Sequence, residues 1–77
     1  METIRAKTTN DRSEVKIIID GEVDCVYYSA DYDNPQDYNV AVGTTIVNAI
    51  ESGAKAQGSM ATKISDNIEQ AKEAYGI

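Results

Sequence analysis

Val15-Lys16-Ile17-Ile18-Ile19-Asp20-Gly21-Glu22-Val23-Asp24-Cys25-Val26-Tyr27-Tyr28 is the stretch on which the fold turns. On either side of an Asp-Gly pair, β-branched and aromatic residues alternate with charged ones. This is the pattern of two half-buried strands joined by a tight turn. Two registers compete. A two-residue turn at Asp20-Gly21 sets Ile17 opposite Asp24 and Ile19 opposite Glu22, which mixes apolar and charged residues on each face. A type I turn with Gly21 in the left-handed position of a G1 bulge sets Ile17 opposite Val23, Val15 opposite Cys25 and Lys16 opposite Asp24. Separation of the faces favours the bulged turn.

Upstream, residues 3–8 alternate in the same way, with Ile4 and Ala6 between Thr3, Arg5 and Lys7. A four-residue loop over Thr9-Asn10-Asp11-Arg12 then pairs Ile4 with Ile17, Ala6 with Val15 and Lys7 with Glu14. The expectation is a three-stranded antiparallel meander over about 3–8, 13–19 and 22–28, apolar on one face and charged on the other.

Downstream, the chain carries the helices that would cover the apolar face. Asn34-Pro35-Gln36-Asp37 combines an N-cap, a proline at the first helical position and a carboxylate in the first turn. Tyr38, Val42, Thr45, Ile46, Ala49, Ile50 and Gly53 then recur at helical spacing. Residues 38–42 also alternate like a strand, and Thr44 is an alternative N-cap for a shorter helix. A second helix is expected from Ser59, presenting Met60, Ile64, Ile68, Ala71 and Tyr75 and ended by Gly76. The fold class predicted is α+β, with helices over about 35–53 and 59–75 on one sheet face. Gly53 to Gly58 reads as a plain connection.

The whole chain has 77 residues, 42% of them hydrophobic, with a net charge of −6. That length and the absence of repeats fit one small domain over 1–77. Its apolar runs are too short to span a bilayer, and Met1-Glu2-Thr3-Ile4-Arg5 lacks the pattern of a secretory signal, so a cytoplasmic location is expected. A lone Cys25 and no histidine leave neither a disulfide nor a zinc cluster to build, and they exclude Ser-His and Cys-His nucleophile systems. Cys25 reads as a small core residue. The glycines match no phosphate-cradling motif. Residues 31–42 only resemble a calcium loop, since Gln36 stands where the turn glycine is needed and Val42 where the bidentate Glu belongs. No catalytic residue, metal or cofactor is expected, and paired carboxylates lack a cleft to work across.

Charge distribution is the most informative feature. Residues 17–54 hold seven carboxylates and no Lys or Arg. Within them Tyr27, Tyr28, Tyr32 and Tyr38 interleave with Asp24, Asp31, Asp33 and Asp37. Tyrosine offers contact area at low entropic cost, and carboxylates steer a basic partner. Asp24, Tyr28, Asp31, Tyr32, Asp33 and Asp37 are therefore the candidate partner-binding residues. The same cluster also arises where tyrosines favour strands and aspartates favour turns. Arg5, Lys7, Arg12 and Lys16 read as a solvated outer sheet face, balanced by Glu2, Asp11 and Glu14, so direct nucleic-acid binding is not expected.

In size and composition the chain resembles the small inhibitor proteins that bacteriophages use against host enzymes, anti-restriction and anti-CRISPR proteins among them. That resemblance rests on no alignable residue and implies no site. The leading expectation is a non-enzymatic inhibitor that docks on a basic, nucleic-acid-binding partner. A second is an oligomeric binder of a nucleotide or similar planar molecule, with Arg5 or Asn39 as donors beside the tyrosines. A third is a structural or assembly subunit. Small residues from Ala41 to Ala61, with Val40 and Val47 as a second apolar stripe, point to a homodimer formed through the helices.

Overall fold

In the computed structural model, residues 2–58 and 68–77 are described. Three strands, β1 (Thr3–Thr8), β2 (Glu14–Ile19) and β3 (Glu22–Tyr28), form the expected meander. A single 3-10 turn over Ser29–Asp31 leads into helix α1 (Pro35–Glu51). A short strand β4 (Lys55–Ala56) and helix α2 (Ile68–Ala74) follow. The fold is α+β. The part of the second predicted helix over 59–67, with Ser59, Met60 and Ile64, lies outside the described residues.

The register differs from expectation in both hairpins. Asp20 and Gly21 both take positive φ, 50° and 83°, the signature of a two-residue type I′ turn, whose twist matches that of the flanking strands. Ile19 accordingly faces Glu22 and Ile18 faces Val23, yet Ile17 faces Cys25 and Val15 faces Tyr27. Asp24 is the extra residue between these pairings, a β-bulge inside β3 and not in the turn. The two-residue turn sends Val23 outward, where it is 55% exposed instead of packing on Ile17, and the bulge rescues the inner face by bringing Cys25 and Tyr27 inward. In the first hairpin Ile4 pairs with Ile19, Ala6 with Ile17 and Thr8 with Val15. That register is two residues away from the predicted one, which leaves every side chain on its expected face. Lys7 meets Lys16 and not Glu14, and Glu14 meets Tyr28.

Asn34 Oδ1 accepts from the Asp37 backbone N–H at 2.8 Å, so α1 starts where the Asn-Pro signal places it. Tyr38 and Val42, one turn apart, both reach the core, which settles 38–42 as helix. Thr44 is no cap: its hydroxyl donates to the Val40 carbonyl at 2.8 Å. Gly53, at φ 101°, ends α1. There the Ala54 N–H reaches the Ala49 carbonyl and the Gly53 N–H the Ile50 carbonyl, each at 3.0 Å, the paired bonds of a Schellman motif.

The sheet order is β3-β2-β1-β4. Strand β4 runs parallel to β1, with Ile4 opposite Ala56, and the Lys55 and Gln57 N–H groups donate to the Glu2 and Ile4 carbonyls at 2.9 Å. The connection over residues 53–58 thus carries a strand. Because β3 and β4 lie at opposite edges, α1 between them must cross the sheet, and this crossing buries the inner face. Ile4, Ile17 and Ile46 are the largest fully buried side chains. Val15, Tyr38, Val42, Val47, Ile50, Ala54, Ala56, Ala71 and Tyr75 form the core with them.

Helix α2 packs on α1 through small residues. A Cβ at Gly43 would sit 2.2 Å from the Tyr75 Cβ and 2.6 Å from its Cγ. Ala71 is wholly buried and Val47 is core, so Val47 of the second apolar stripe of α1 is covered within the chain, whereas Val40 is half-buried. Gly43→Ala gains about 1 kcal/mol of helix propensity, but contacts of 2.2 and 2.6 Å place the overpacking cost toward the upper end of the usual range, about 3 kcal/mol. The blocking atoms adjoin the Tyr75 backbone and cannot swing away. We expect G43A to lower the melting midpoint by about 4 °C or more in a thermal scan by circular dichroism. An unchanged or raised midpoint would mean that α2 is not seated on Gly43.

Candidate functional site

The bulge fixes which face each tyrosine of β3 occupies. Tyr27 points inward, its hydroxyl hydrogen-bonded to the Thr45 hydroxyl of α1, and Tyr38 donates to the Tyr27 carbonyl at 3.4 Å. Burial pushes the Tyr27 phenol above its ordinary value, against the Thr45 hydrogen bond. Tyr28 points outward and is 48% exposed. The Ser29 N–H donates to the Ser13 carbonyl at 2.9 Å, and the chain then turns through Ser29–Asp31 toward α1. One corner of the molecule therefore carries Tyr28, Asp31, Asp33 and the first turn of α1 with Asp37, all exposed.

The six candidate residues divide. Tyr28, Asp31, Asp33 and Asp37 share that corner. Asp24 does not: it occupies the bulge nearer the opposite end of β3. Asp37 is partly engaged, since its carboxylate accepts from the Asn34 side-chain amide at 3.1 Å. Tyr32 turns inward, half-buried, with its ring centroid 5.5 Å from that of Tyr38 at an interplanar angle of 35°. Among the described residues the ion pair found is Lys16–Glu14, at 3.7 Å on the outer sheet face. Asp31 and Asp33 are thus exposed and have no cation paired with them among the described residues.

Beside this corner is an open cleft of about 820 Å³ between the inner sheet face, the β1–β2 loop, the start of α1 and the end of α2. Tyr32, Tyr38, Tyr75, Gln36, Asn39 and Arg12 are among its walls. Arg12 overturns the sequence reading, which put it on the outer sheet face. Arg5 does lie there, opposite Ile18, and does not line the cleft. Of the two donors expected beside the aromatic rings, Asn39 is present and Arg5 is replaced by Arg12.

The hairpin loop explains how Arg12 reaches the cleft. Its N–H donates to the Thr9 carbonyl at 3.0 Å, and its φ is 61°, a left-handed conformation costly for an arginine. Asp11 holds the loop. One carboxylate oxygen accepts from the Thr9 hydroxyl at 2.9 Å, the Ser13 hydroxyl at 2.7 Å and the Ser13 N–H at 3.0 Å. These bonds, those from Ser13 foremost, hold the Asp11 carboxyl below its ordinary 3.8. Across the cleft, burial raises the phenols of Tyr38 and Tyr75, while the Arg12 charge pulls both the other way. Arg12 gave no signal in the sequence, because its placement depends on a hairpin loop whose geometry appears only once the register is fixed.

Cys25 lies on the inner face against the core, half-buried, and its thiol is pushed up chiefly by burial. Among the described residues, no His, Cys, Asp or Glu side chains gather in threes as a metal would require. No helix of the described residues is long and apolar enough to cross a membrane. Comparisons with protein-family models, with curated proteins and with solved structures found no match, so the functional reading rests on this chain's own geometry.

A carboxyl whose folded pKa is depressed adds stability above its unfolded value, and that stability is lost as the pH falls through the folded one. For Asp11 the window lies below pH 3.8. Asp11→Asn is expected to retain the acceptor oxygen but to lose this pH-dependent contribution. Its melting midpoint should therefore fall less steeply than the parent's when the pH is lowered below 4. Parallel acid limbs in the two proteins would show that the loop bonds do not favour the ionised form.

Proposed function

We propose that the chain is a small acidic, non-catalytic docking module that occupies a basic protein surface of the kind that otherwise holds nucleic acid. The observation that supports this most directly is the corner where half-exposed Tyr28 stands beside Asp31 and Asp33, two carboxylates with no ion pair among the described residues. An exposed aromatic ring gives a partner something to desolvate, and unneutralised carboxylates give long-range attraction to cations and register on contact. The outer face adds area: Val23, exposed, and Val26, half-buried, of the edge strand β3 lie on the same side of the sheet as Tyr28. Inhibition follows from occupancy, since a basic groove filled by this corner cannot hold phosphates. The acidic balance of the whole chain adds to the same field.

The geometry also selects the variant that tests the reading. Asp37 helps to cap α1 and its loss would disturb the fold, so the corner is best probed through Tyr28→Ser, Asp31→Asn and Asp33→Asn together, all at exposed positions. In a pull-down with the immobilised protein, a basic protein should be captured at low salt and displaced by high salt or by a short DNA duplex. The triple variant, with an unchanged melting midpoint, should hold that protein about tenfold more weakly and with a flatter salt dependence. Capture that is equal for the variant, or that resists both salt and duplex, would reject the proposal.

A further inference from the structure

We infer that the cleft beneath the β1–β2 loop is a binding site for a small planar anion of the nucleoside monophosphate class, adjoining the docking corner and sharing only Asp33 with it. Two independent observations point to it. The first is the cleft itself, whose volume of about 820 Å³ lies in the range of small-molecule sites. Its walls combine what a ring and an acidic group need: half-buried Tyr32, tilted against the buried Tyr38, with the edge of Tyr75 nearby, Gln36 and Asn39 as amide donors and acceptors, and one guanidinium.

The second is the conformation of Arg12. A left-handed φ of 61° suits glycine or asparagine, and on an arginine it stores strain that the Asp11 bonds to Thr9 and Ser13 must offset. Stability alone gives no reason to put arginine there. The conformation does bring a cation into the cleft, and no carboxylate among the described residues forms an ion pair with it. Guanidinium is the side-chain group best shaped for bidentate contact with a phosphate or carboxylate. Asp11 and Asp33, which also line the cleft, together with the net charge of −6, disfavour ligands of higher negative charge. The geometry thus selects a monophosphate over a triphosphate.

Equilibrium dialysis of the purified protein against AMP, GMP, CMP and UMP, with the four nucleosides in parallel, tests this directly. At least one monophosphate should be retained, and its nucleoside about tenfold more weakly or not at all. Arg12→Gly relieves the strained φ, so it should melt no lower than the parent while losing about tenfold or more in affinity. Should it melt lower, Arg12→Gln, which keeps most of the side-chain stem, decides by the same criterion. Retention of no monophosphate at up to about 1 mM, equal retention of nucleoside and monophosphate, or undiminished binding by the deciding Arg12 variant would overturn the inference. The docking corner is judged separately, because Tyr28 and Asp31 do not line the cleft and these variants change Arg12 and leave the shared Asp33 in place.

Discussion

The bulge at Asp24 is the constraint on which the rest of the structure depends. A type I′ turn fixes Ile19 against Glu22, and strict alternation from there would place Asp24 and Val26 inward and expose Cys25 and Tyr27. One inserted residue reverses this. Tyr27 then reaches Thr45 and Tyr38 and ties the edge strand to α1, while Tyr28 is released to solvent. The inward tie and the outward ring are two results of the same register change. Asp24 also leaves a kink and a charge on an edge strand that would otherwise present a flat, apolar ladder to other chains.

The sequence carried the elements well because local chemistry sets them. The Asn34-Pro35 start, the Asp20-Gly21 turn and the period-two runs each act within a few residues, and α1 and the three long strands lie almost where these signals put them. What it did not carry depends on contacts between distant residues. The need for a bulge was legible in the mismatch between Ile17 and Asp24, but turn and strand could each have absorbed it, and the strand did. The role of Gly43 depends on Tyr75, thirty-two positions away. Two residues are too few for β4 to show a period, and its partner is at the other end of the chain. For the site, exposure of Tyr28 followed from alternation, whereas the inward turn of Tyr32 and the arrival of Arg12 required the loops to be built.

Charge follows the same division between local and distant effects. Asp11 and Asp37 are spent on local backbone geometry, one holding a hairpin loop and the other starting a helix. Asp31 and Asp33 have no such duty among the described residues, and this difference, invisible in a count of carboxylates, separates structural acid from acid available to a partner. Arg12 is the counterpart on the basic side: Lys16 is paired on the outer face, while Arg12 is turned by its backbone toward the tyrosines.

The parallel pairing of β4 with β1 bears on the order in which the chain assembles. The two hairpins and α1 close over short separations, and such contacts form early. Pairing Ile4 with Ala56 instead closes a loop of about fifty residues for a ladder only two residues long. A ladder this short and this distant in sequence is expected to form after α1 has crossed the sheet and to open before the longer strands do. Amide exchange at Lys55 and Gln57, which donate to β1, would therefore report local opening of the closed sheet well before the buried strand β2 exchanges.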